Sequence, residues 1–352
     1  MSHTQRTARL IALSVAAALT LAACGSADDD ASSTEPAPES ALYAAARDEG
    51  KVVVYMNVTP DVVEAVAEGF EATYPGVEVE AVRLPDAEMV PRLETELGSG
   101  APTADFIENA SPTWLIEQGE AGAWVPADQS PEATGEGGYD TEKFFDADHA
   151  IYELGGTVNT FAWNTDLVPE DIKDYPDLLD SDLADGKVGV LELASAPAND
   201  FYIWLAETFG DDFLSTLGAQ EPRIYPSTTG IVEALGSGEI YAANWVVPSL
   251  VVEAQEAGAP IDYDISPTGK FGIRGYGVVN AEAANPNAAQ LFLEYLLSED
   301  GQATIWPLAS SVLSEAPDGV LGTNEELPPW DPATSTPEKL GEARQAWDAI
   351  FR

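Results

Sequence analysis

The sequence is poor in three kinds of residue that often carry chemistry: cysteine, histidine and the basic residues. Its 352 residues include one cysteine, Cys24, and two histidines, His3 and His149. One cysteine excludes an internal disulfide bond and a metal site built from cysteines. No sequence pattern near His149 supports its use as a base. The sequence also lacks a phosphate-binding glycine loop and a two-histidine metal helix, so we expect no catalytic residues, no metal site and no cofactor.

Basic residues are scarce relative to acids. Lys and Arg together number 15 against 61 Asp and Glu, which gives a formal net charge of -46. Binding to a phosphate backbone needs clustered positive charge, so nucleic acid is excluded as a partner. A surplus of this size indicates a solvated acidic surface and bears on solubility and surroundings rather than on fold.

Hydrophobic residues, in contrast, are plentiful. They make up 45% of the chain, and aromatic residues make up 9%. This composition supports packed cores and argues against a mainly disordered chain. The length is too great for one ordinary domain and suits two.

The first 40 residues are predicted to stand apart from the folded part. Arg6 and Arg9 precede an apolar run over residues 10–21, which predicts an export signal over residues 1–23. Residues 21–25 (LAACG) resemble a bacterial lipoprotein box, and the resemblance implies that Cys24 is lipidated and becomes the new N-terminus. Residues 24–40 contain no large apolar residue and are predicted to form a flexible tether. We therefore expect a protein outside the cytoplasm, anchored to the cell membrane by lipid.

After the tether, strand-like and helix-like patterns alternate. The predicted strands are residues 51–56, 77–82, 104–107, 158–163, 188–193, 223–225, 240–244 and 271–279. The predicted helices begin near Pro60 and Pro112, include Met89 to Leu97, and cover 201–209, 229–235, 250–257, 286–297, 299–306 and a last helix from Pro337. This alternation predicts an α/β protein with largely parallel sheets. Residues 129–139 and Gly155-Gly156 are candidate domain boundaries.

Five segments carry a family resemblance when taken in order along the chain. They are residues 42–56 (LYAAARDEGKVVVYM), 70–79 (FEATYPGVEV), 102–107 (PTADFI), 158–168 (VNTFAWNTDLV) and 285–301 (NPNAAQLFLEYLLSEDG). Together they resemble extracellular solute-binding proteins of ABC importers, in the branch that contains ferric-ion-binding proteins and their organic-ligand relatives.

The resemblance implies a two-lobed type II periplasmic-binding fold, in which two α/β domains joined by two crossing segments close on a ligand. One domain would contain residues 42–155 plus 267–318, and the other residues 156–266. Residues 319–352 would form a C-terminal extension with a helix. The implied function is that of a lipid-anchored, monomeric substrate-binding component, which captures a small polar organic solute and delivers it to an ABC permease.

Candidate ligand-binding residues follow the predicted strands, because open α/β sheets bind ligands beyond the carboxyl ends of their strands. Helix N-termini at these positions also offer backbone N–H groups. The polar side chains suited to a small ligand are Asn57, Asn109, Ser111, Asn159, Thr160, Ser195, Ser227, Thr228 and Asn244. The same residue types cap helices and form turns for backbone reasons alone, and that alternative stays open for each.

Aromatic residues and one arginine complete the predicted site. Trp245, Tyr276 and Tyr55 could stack on a planar part of a ligand, although aromatic residues also fill cores. Arg274, in the segment FGIRGYG, could hold a ligand carboxylate through two N–H groups. Its alternative is a surface ion pair with one of the many acids.

Three other functions are kept as alternatives. The first is an importer component that binds ferric ion or another metal. Ferric-binding relatives carry adjacent tyrosines where this chain has Trp245-Val246, so phenolate ligation of iron is unsupported and iron is the less favoured cargo. Asp200 would compete with a bound anion at a helix N-terminus, which weakens a phosphate interpretation. A secreted hydrolase that uses two carboxylates and a cation-buffering surface lipoprotein are the alternatives of other classes; the second would need calcium loops, and the tether acids lack that pattern.

Overall fold

A computed structural model describes residues 37–100, 103–210, 212–329, 334 and 336–352. All of these residues belong to one compact unit. The predicted signal peptide, Cys24 and most of the predicted tether lie outside the described residues.

The described strands form two sheets. The first sheet contains β1 (Lys51–Met56), β2 (Glu78–Arg83), β3 (Phe106–Asn109), β4 (Trp124–Val125), β5 (Phe145–Asp146), β6 (Ile151–Gly156), β12 (Arg274–Asn280), β13 (Ser310–Ser311) and β14 (Gly322–Thr323). The second sheet contains β7 (Thr160–Asn164), β8 (Val188–Leu191), β9 (Arg223–Tyr225), β10 (Ala242–Val246) and β11 (Ile261–Asp264). The strand order is β14-β13-β6-β12-β3-β1-β2 in the first sheet, with β4 paired to β12 and β5 to β6, and β11-β7-β10-β8-β9 in the second.

Helices flank both sheets. The α-helices are α1 (Ala41–Glu49), α2 (Pro60–Thr73), α3 (Asp86–Ser99), α4 (Pro112–Glu120), α5 (Thr141–Phe144), α6 (Ala196–Phe209), α7 (Asp212–Ala219), α8 (Thr228–Gly236), α9 (Pro248–Glu256), α10 (Pro286–Leu297), α11 (Glu299–Ile305) and α12 (Pro337–Phe351). Short 3-10 turns cover Tyr175–Leu179, Ser181–Leu183 and Asn324–Glu326.

The predicted alternation of strands and helices is confirmed, but the expectation of largely parallel sheets is wrong. Parallel pairs occur where helices connect strands that run the same way, as in β1 with β2 and β8 with β9. Strand β12 returns from the second sheet and lies antiparallel between β3 and β6. Strand β7 is antiparallel to both β10 and β11. Both sheets are therefore mixed, because the chain enters each of them from opposite directions.

Gly155 and Gly156 do not interrupt the chain before a strand, because they form the end of β6. Gly155 has φ +125°, and a Cβ there would come within 2.3 Å of the Trp306 ring. A Cβ on Gly156 would come within 2.5 Å of the carbonyl oxygen of Ile273. The two glycines thus permit close packing inside a strand. Residues 129–139 lie between β4 and β5 of the same sheet, so the chain does not leave the first sheet there.

The first sheet separates two clusters of buried side chains. On β3, Phe106 packs on one face against Phe292 of α10, with ring centroids 5.3 Å apart. The next residue, Ile107, packs on the other face in a cluster with Met89 and Leu115. This follows from the alternation of side chains along a strand. The second sheet has its own buried cluster, which includes Phe201 of α6.

The chain passes from the first sheet to the second after Gly156 and returns before Arg274. The two passing segments, residues 157–159 and 265–273, are hydrogen-bonded to each other: Thr157 N–H donates to the Ile273 carbonyl at 2.9 Å. The C-terminal helix α12 packs against the second sheet's helices, since Trp347 and Phe351 both contact the Tyr202 ring. The predicted domain limits stay predictions, because two sheets do not fix which residues move as one body.

Candidate functional site

A cavity of about 820 Å³ lies between α4 and α6. The loop before α4 and its first two turns form one wall, and α6 forms the opposite wall. Residues 271–273 of the returning segment, together with Arg274 and Tyr276 of β12, also line the cavity. Pro328, Pro329 and Thr334 from the C-terminal part of the chain complete the lining.

Both wall helices begin at the cavity. Ser111 is the N-cap residue of α4 and Ser195 that of α6, and neither side chain makes a capping hydrogen bond. A proline follows in the first turn of each helix. Backbone N–H groups in a first turn have no partner within the helix and carry a partial positive charge. Two sets of such donors therefore adjoin the same cavity.

The face of α6 on the cavity contains four residues spaced at helical periodicity: Asp200, Ile203, Trp204 and Glu207. Residues three and four apart share one face of a helix. Asp200 accepts a hydrogen bond of 2.9 Å from the Thr334 hydroxyl, which links this wall to the C-terminal segment. On the opposite wall, α4 presents Thr113, Trp114 and Glu117.

Arg274 lines the cavity, but its guanidinium group is bonded inside the protein. One terminal nitrogen contacts the carboxylate of Glu153, and the two side chains are only 12% and 11% exposed. The other terminal nitrogen donates to the carbonyl oxygens of Leu327 at 3.0 Å and Asn324 at 3.1 Å. Burial raises the pKa of Glu153, and the charge of Arg274 opposes that rise without cancelling it. The ion pair expected as the alternative for Arg274 thus exists, but it is buried rather than at the surface.

Comparison with known proteins identifies the family. Residues 65–318 match the family model described as bacterial extracellular solute-binding protein. The chain belongs to this family. The resemblance predicted from five short segments is confirmed. No curated protein sequence matches the chain.

Solved structures show the fold of this solute-binding protein. A substrate-binding protein of an ABC transporter from Agrobacterium tumefaciens has a TM-score of 0.66 at 18% identity, over 87% of this chain and 97% of that one. AfuA from Actinobacillus pleuropneumoniae, with fructose-6-phosphate bound, has a TM-score of 0.61 at 20% identity, over 86% of this chain and 98% of that one. Iron-bound HitA from Pseudomonas aeruginosa has a TM-score of 0.62 at 19% identity, over 86% of this chain and 99% of that one. These likenesses confirm the predicted type II periplasmic-binding fold.

Four of the twelve predicted ligand-binding residues line the cavity of the solute-binding protein: Ser111, Ser195, Arg274 and Tyr276. Tyr276 lies beside the cavity in a setting where burial raises the pKa of its hydroxyl. The roles of these four in ligand binding stay predictions. The sequence indicates the two serines as site residues because each follows a strand and precedes a helix.

The other eight predicted residues are placed elsewhere in the described structure. Asn244 is fully buried and its Oδ1 accepts from the Leu191 N–H at 3.3 Å. The indole N–H of Trp245 donates to the Thr228 hydroxyl at 2.9 Å, and the ring packs against Phe201. Trp245 belongs to the second sheet's cluster, Thr228 is half-buried at the start of α8, and none of the three residues lines the cavity.

The remaining five make contacts within the protein, and two of them, Ser227 and Asn109, form the cap or turn that the alternative describes. Ser227 Oγ caps α8 by accepting from Gly230 N–H at 3.2 Å. Asn109 Oδ1 accepts from Ser111 N–H at 2.6 Å and so shapes the loop before α4. The Thr160 hydroxyl donates to the Asp264 carbonyl.

The last two of these five, Asn159 and Asn57, have hydrogen-bonded backbones. The Asn159 backbone pairs with that of Phe271, in the passing segments. Asn57 follows β1, and its N–H donates to a carboxylate oxygen of Glu108 at 2.8 Å.

The cavity-lining residues that the sequence did not predict include Trp114, Glu117, Trp204 and Glu207. A signal for them exists in the sequence. Residues 114–117 read WLIE and residues 204–207 read WLAE, so the same short motif occurs on both walls. The motif lies one or more helical turns beyond the strand ends, which is where the rule for open α/β sheets places ligand-binding residues.

No helix within the described ranges is long and apolar enough to cross a bilayer. The described residues also contain no cluster of three His, Cys, Asp or Glu side chains placed to hold a metal ion. His149 pairs with Asp146 through Nδ1 at 2.7 Å and lies outside the cavity lining.

Proposed function

We propose that this solute-binding protein is the substrate-binding component of an ABC import system, which captures a small polar organic solute in the cavity between α4 and α6. The observation that carries the proposal is the cavity itself, placed between two helix N-termini and above the segments that join the two sheets. Helix N-termini and a few polar side chains in an otherwise apolar cleft are typical of small-ligand sites.

The solute is held by closure of the two walls and is released to a membrane permease. Closure around a ligand changes the surface that the protein presents, and a partner can recognise that change. The protein acts as a monomer and returns the solute chemically unchanged, with no catalytic step. The structures of ABC-transporter relatives with the same fold support this assignment.

The mature protein is held at the outer side of the cell membrane by lipid on Cys24. The support is the order of basic residues, apolar run and LAACG segment in the sequence. Mass spectrometry of the protein purified from membranes is expected to find acyl chains on the N-terminal Cys24. An unmodified N-terminus upstream of residue 24 would contradict the anchor and leave solute binding unaffected.

Binding is tested by label-free thermal unfolding, followed through the intrinsic fluorescence of the eight tryptophans. A panel of amino acids, organic acids, organic cations, sugars, sugar phosphates and ferric ion is screened. A ligand at about 100 times its dissociation constant stabilises the folded state by roughly 2.7 kcal/mol. Small-angle scattering should then show a more compact particle with the same compound, and NMR should recover that compound unaltered. Conversion of any compound to a product would favour the hydrolase alternative instead.

A further inference from the structure

The two walls of the cavity carry the same four-residue motif, Trp-Leu-x-Glu, at Trp114 to Glu117 on α4 and at Trp204 to Glu207 on α6. In both copies the leucine is fully buried, Leu115 in a cluster of the first sheet and Leu205 in the cluster of the second. The tryptophan and the glutamate of each copy line the cavity. In each wall the leucine packs in a buried cluster. The tryptophan and the glutamate, three residues apart, lie on one face of the helix.

The charge of the described lining is negative. Its charged side chains are the carboxylates of Glu117, Asp200 and Glu207 and the guanidinium of Arg274. The positive charge of Arg274 is met by Glu153, which lies outside this lining. Glu117 and Glu207 are exposed, and neither side chain has a hydrogen bond or an ion pair within the described residues.

A separate observation also points to a ligand. Trp114 is 7% exposed, and no described residue provides an acceptor for its indole N–H. A buried donor without an acceptor is costly. Trp114 lines the cavity, but its indole nitrogen is itself buried, so an oxygen of a bound solute reaches this N–H only when closure of the walls turns the ring.

We propose that the cavity takes an organic cation: a small ammonium-bearing solute whose charged nitrogen lies between the Trp114–Glu117 and Trp204–Glu207 pairs. This inference rests on the proposed function and names the class of its solute. Tryptophan is the side chain whose ring attracts a cation most strongly, and a nearby carboxylate adds direct charge attraction. A hydroxyl or carbonyl oxygen on the same solute would accept from Trp114.

The placement of the two glutamates also makes closure selective. Glu117 and Glu207 belong to opposite walls, so closure of the walls brings like charges toward each other. Repulsion between them grows as the distance falls and as water is excluded. A cation between the walls offsets this repulsion, whereas an anion adds to it. An anionic solute therefore stabilises the closed form less than a cation of the same size.

The test uses the full chain purified in detergent, with choline, putrescine, agmatine and arginine as cationic probes and citrate, glucose and glucose phosphate as comparators. Isothermal titration calorimetry is expected to detect binding of at least one cation. Glu117→Gln and Glu207→Gln should each weaken that binding about tenfold or more and leave the unfolding temperature without ligand unchanged. The matched control is Glu120→Gln, on the same helix as Glu117 but outside the lining, which should not change the affinity. Trp114→Phe should weaken binding only of cations that carry an oxygen acceptor.

The outcomes separate this inference from the proposed function. If a comparator binds and makes the particle more compact while every cationic probe fails, the inference is overturned and the proposed function stands. If a cation binds with equal affinity to the wild type and to both glutamine variants, the inference is also overturned. If no probe binds and scattering never changes, the inference and the proposed function both fail.

Discussion

The backbone N–H of Asn159 donates a hydrogen bond of 2.8 Å to the carbonyl oxygen of Phe271. Asn159 belongs to the segment that leaves the first sheet, and Phe271 belongs to the segment that returns. Phe271 also lines the cavity and packs against Phe201 and Trp204 of α6. The joint between the two sheets and the base of the cavity are thus the same few residues. Any rotation of one wall relative to the other has to be absorbed there and in the C-terminal segment.

Gly272 is the position in this joint that tolerates a side chain least. A Cβ on Gly272 would lie 2.0 Å from the Thr157 carbonyl oxygen and 2.9 Å from a methyl carbon of Leu327. The carbonyl is backbone, so relief requires the two passing segments to separate. We expect Gly272→Ala to lower the free energy of unfolding by about 1–3 kcal/mol and to weaken binding of any ligand that depends on closure, measured by urea unfolding and calorimetry.

The matched control is Gly98→Ala in α3, where a Cβ meets nothing within 4 Å. Alanine is the better helix former, so this change should stabilise the protein by about 0.5–1 kcal/mol. An unchanged unfolding midpoint for Gly272→Ala would show that the joint is looser than the distances indicate.

Much of the fold could be predicted from the sequence because local signals agree with the final structure. Thr59-Pro60 marks the start of α2, whose buried residues Val63, Val66 and Phe70 recur at helical spacing. Helix α10 has the predicted bounds for the same reason, with Pro286 in its first turn. Strand β6 was missed because its two glycines look like a break, although they serve close contacts with Trp306 and Ile273.

The candidate site could be predicted only in part. Ser111 and Ser195 follow from the rule that ligands bind beyond strand ends. The rule fails for Asn244 and Trp245 because β10 continues to Val246, so these two residues are still inside the sheet, where Asn244 is fully buried and Trp245 belongs to the second cluster. It also omits Glu117 and Glu207, because α4 runs along the cavity for about two turns and α6 for about three. Which helix faces meet across a cleft depends on the tertiary arrangement and is not encoded locally.

His149 is expected to make stability depend on pH. Its hydrogen bond with Asp146 raises the pKa of His149 above the usual value of about 6.5. A raised pKa in the folded state means that the pair's contribution is fully present below about pH 6.5 and is lost as pH rises through the folded-state pKa. The difference in unfolding temperature between wild type and His149→Gln should therefore be larger at pH 5.5 than at pH 8.5.

An NMR titration checks the cause directly, because the chain has only two histidines. Asp146→Asn should bring the pKa of His149 down toward its usual value. If the pKa of His149 is the same with and without the Asp146 carboxylate, the pair does not account for the pH dependence.

Trp245 separates a structural role from a ligand role. It is 4% exposed, donates to Thr228, and lies outside the cavity lining. Trp245→Phe keeps an aromatic ring beside Phe201 but removes the hydrogen bond and some volume, so we expect a loss of about 1–3 kcal/mol in unfolding free energy. Affinity for the solute should stay within twofold of wild type. A tenfold loss of affinity with unchanged stability would return Trp245 to the ligand site.

Arg274 is expected to act chiefly in stability, through its ion pair with Glu153 and its hydrogen bonds to the carbonyls of Asn324, Leu327 and Pro328. Arg274→Met removes the cation and leaves Glu153 buried without its charge partner. Breaking a buried pair in this way costs about 3–5 kcal/mol, measured by urea unfolding at pH 7. Lys173→Met is the control, because its ion pair with Asp171 is fully solvated and should change stability little.

The pH dependence of the Arg274→Met variant identifies the cause of its loss. Burial already raises the pKa of Glu153 in the wild type, and removal of Arg274 raises it further. A carboxyl group with a raised folded-state pKa contributes its stability below its unfolded pKa of about 4.3 and loses it as pH rises through the folded value. The difference in unfolding free energy between the wild type and Arg274→Met should therefore become smaller from pH 7 to pH 5, because Glu153 becomes neutral. If this difference in unfolding free energy is the same at pH 7 and pH 5, the loss of stability comes from the hydrogen bonds to the Asn324 and Leu327 carbonyls rather than from the buried charge.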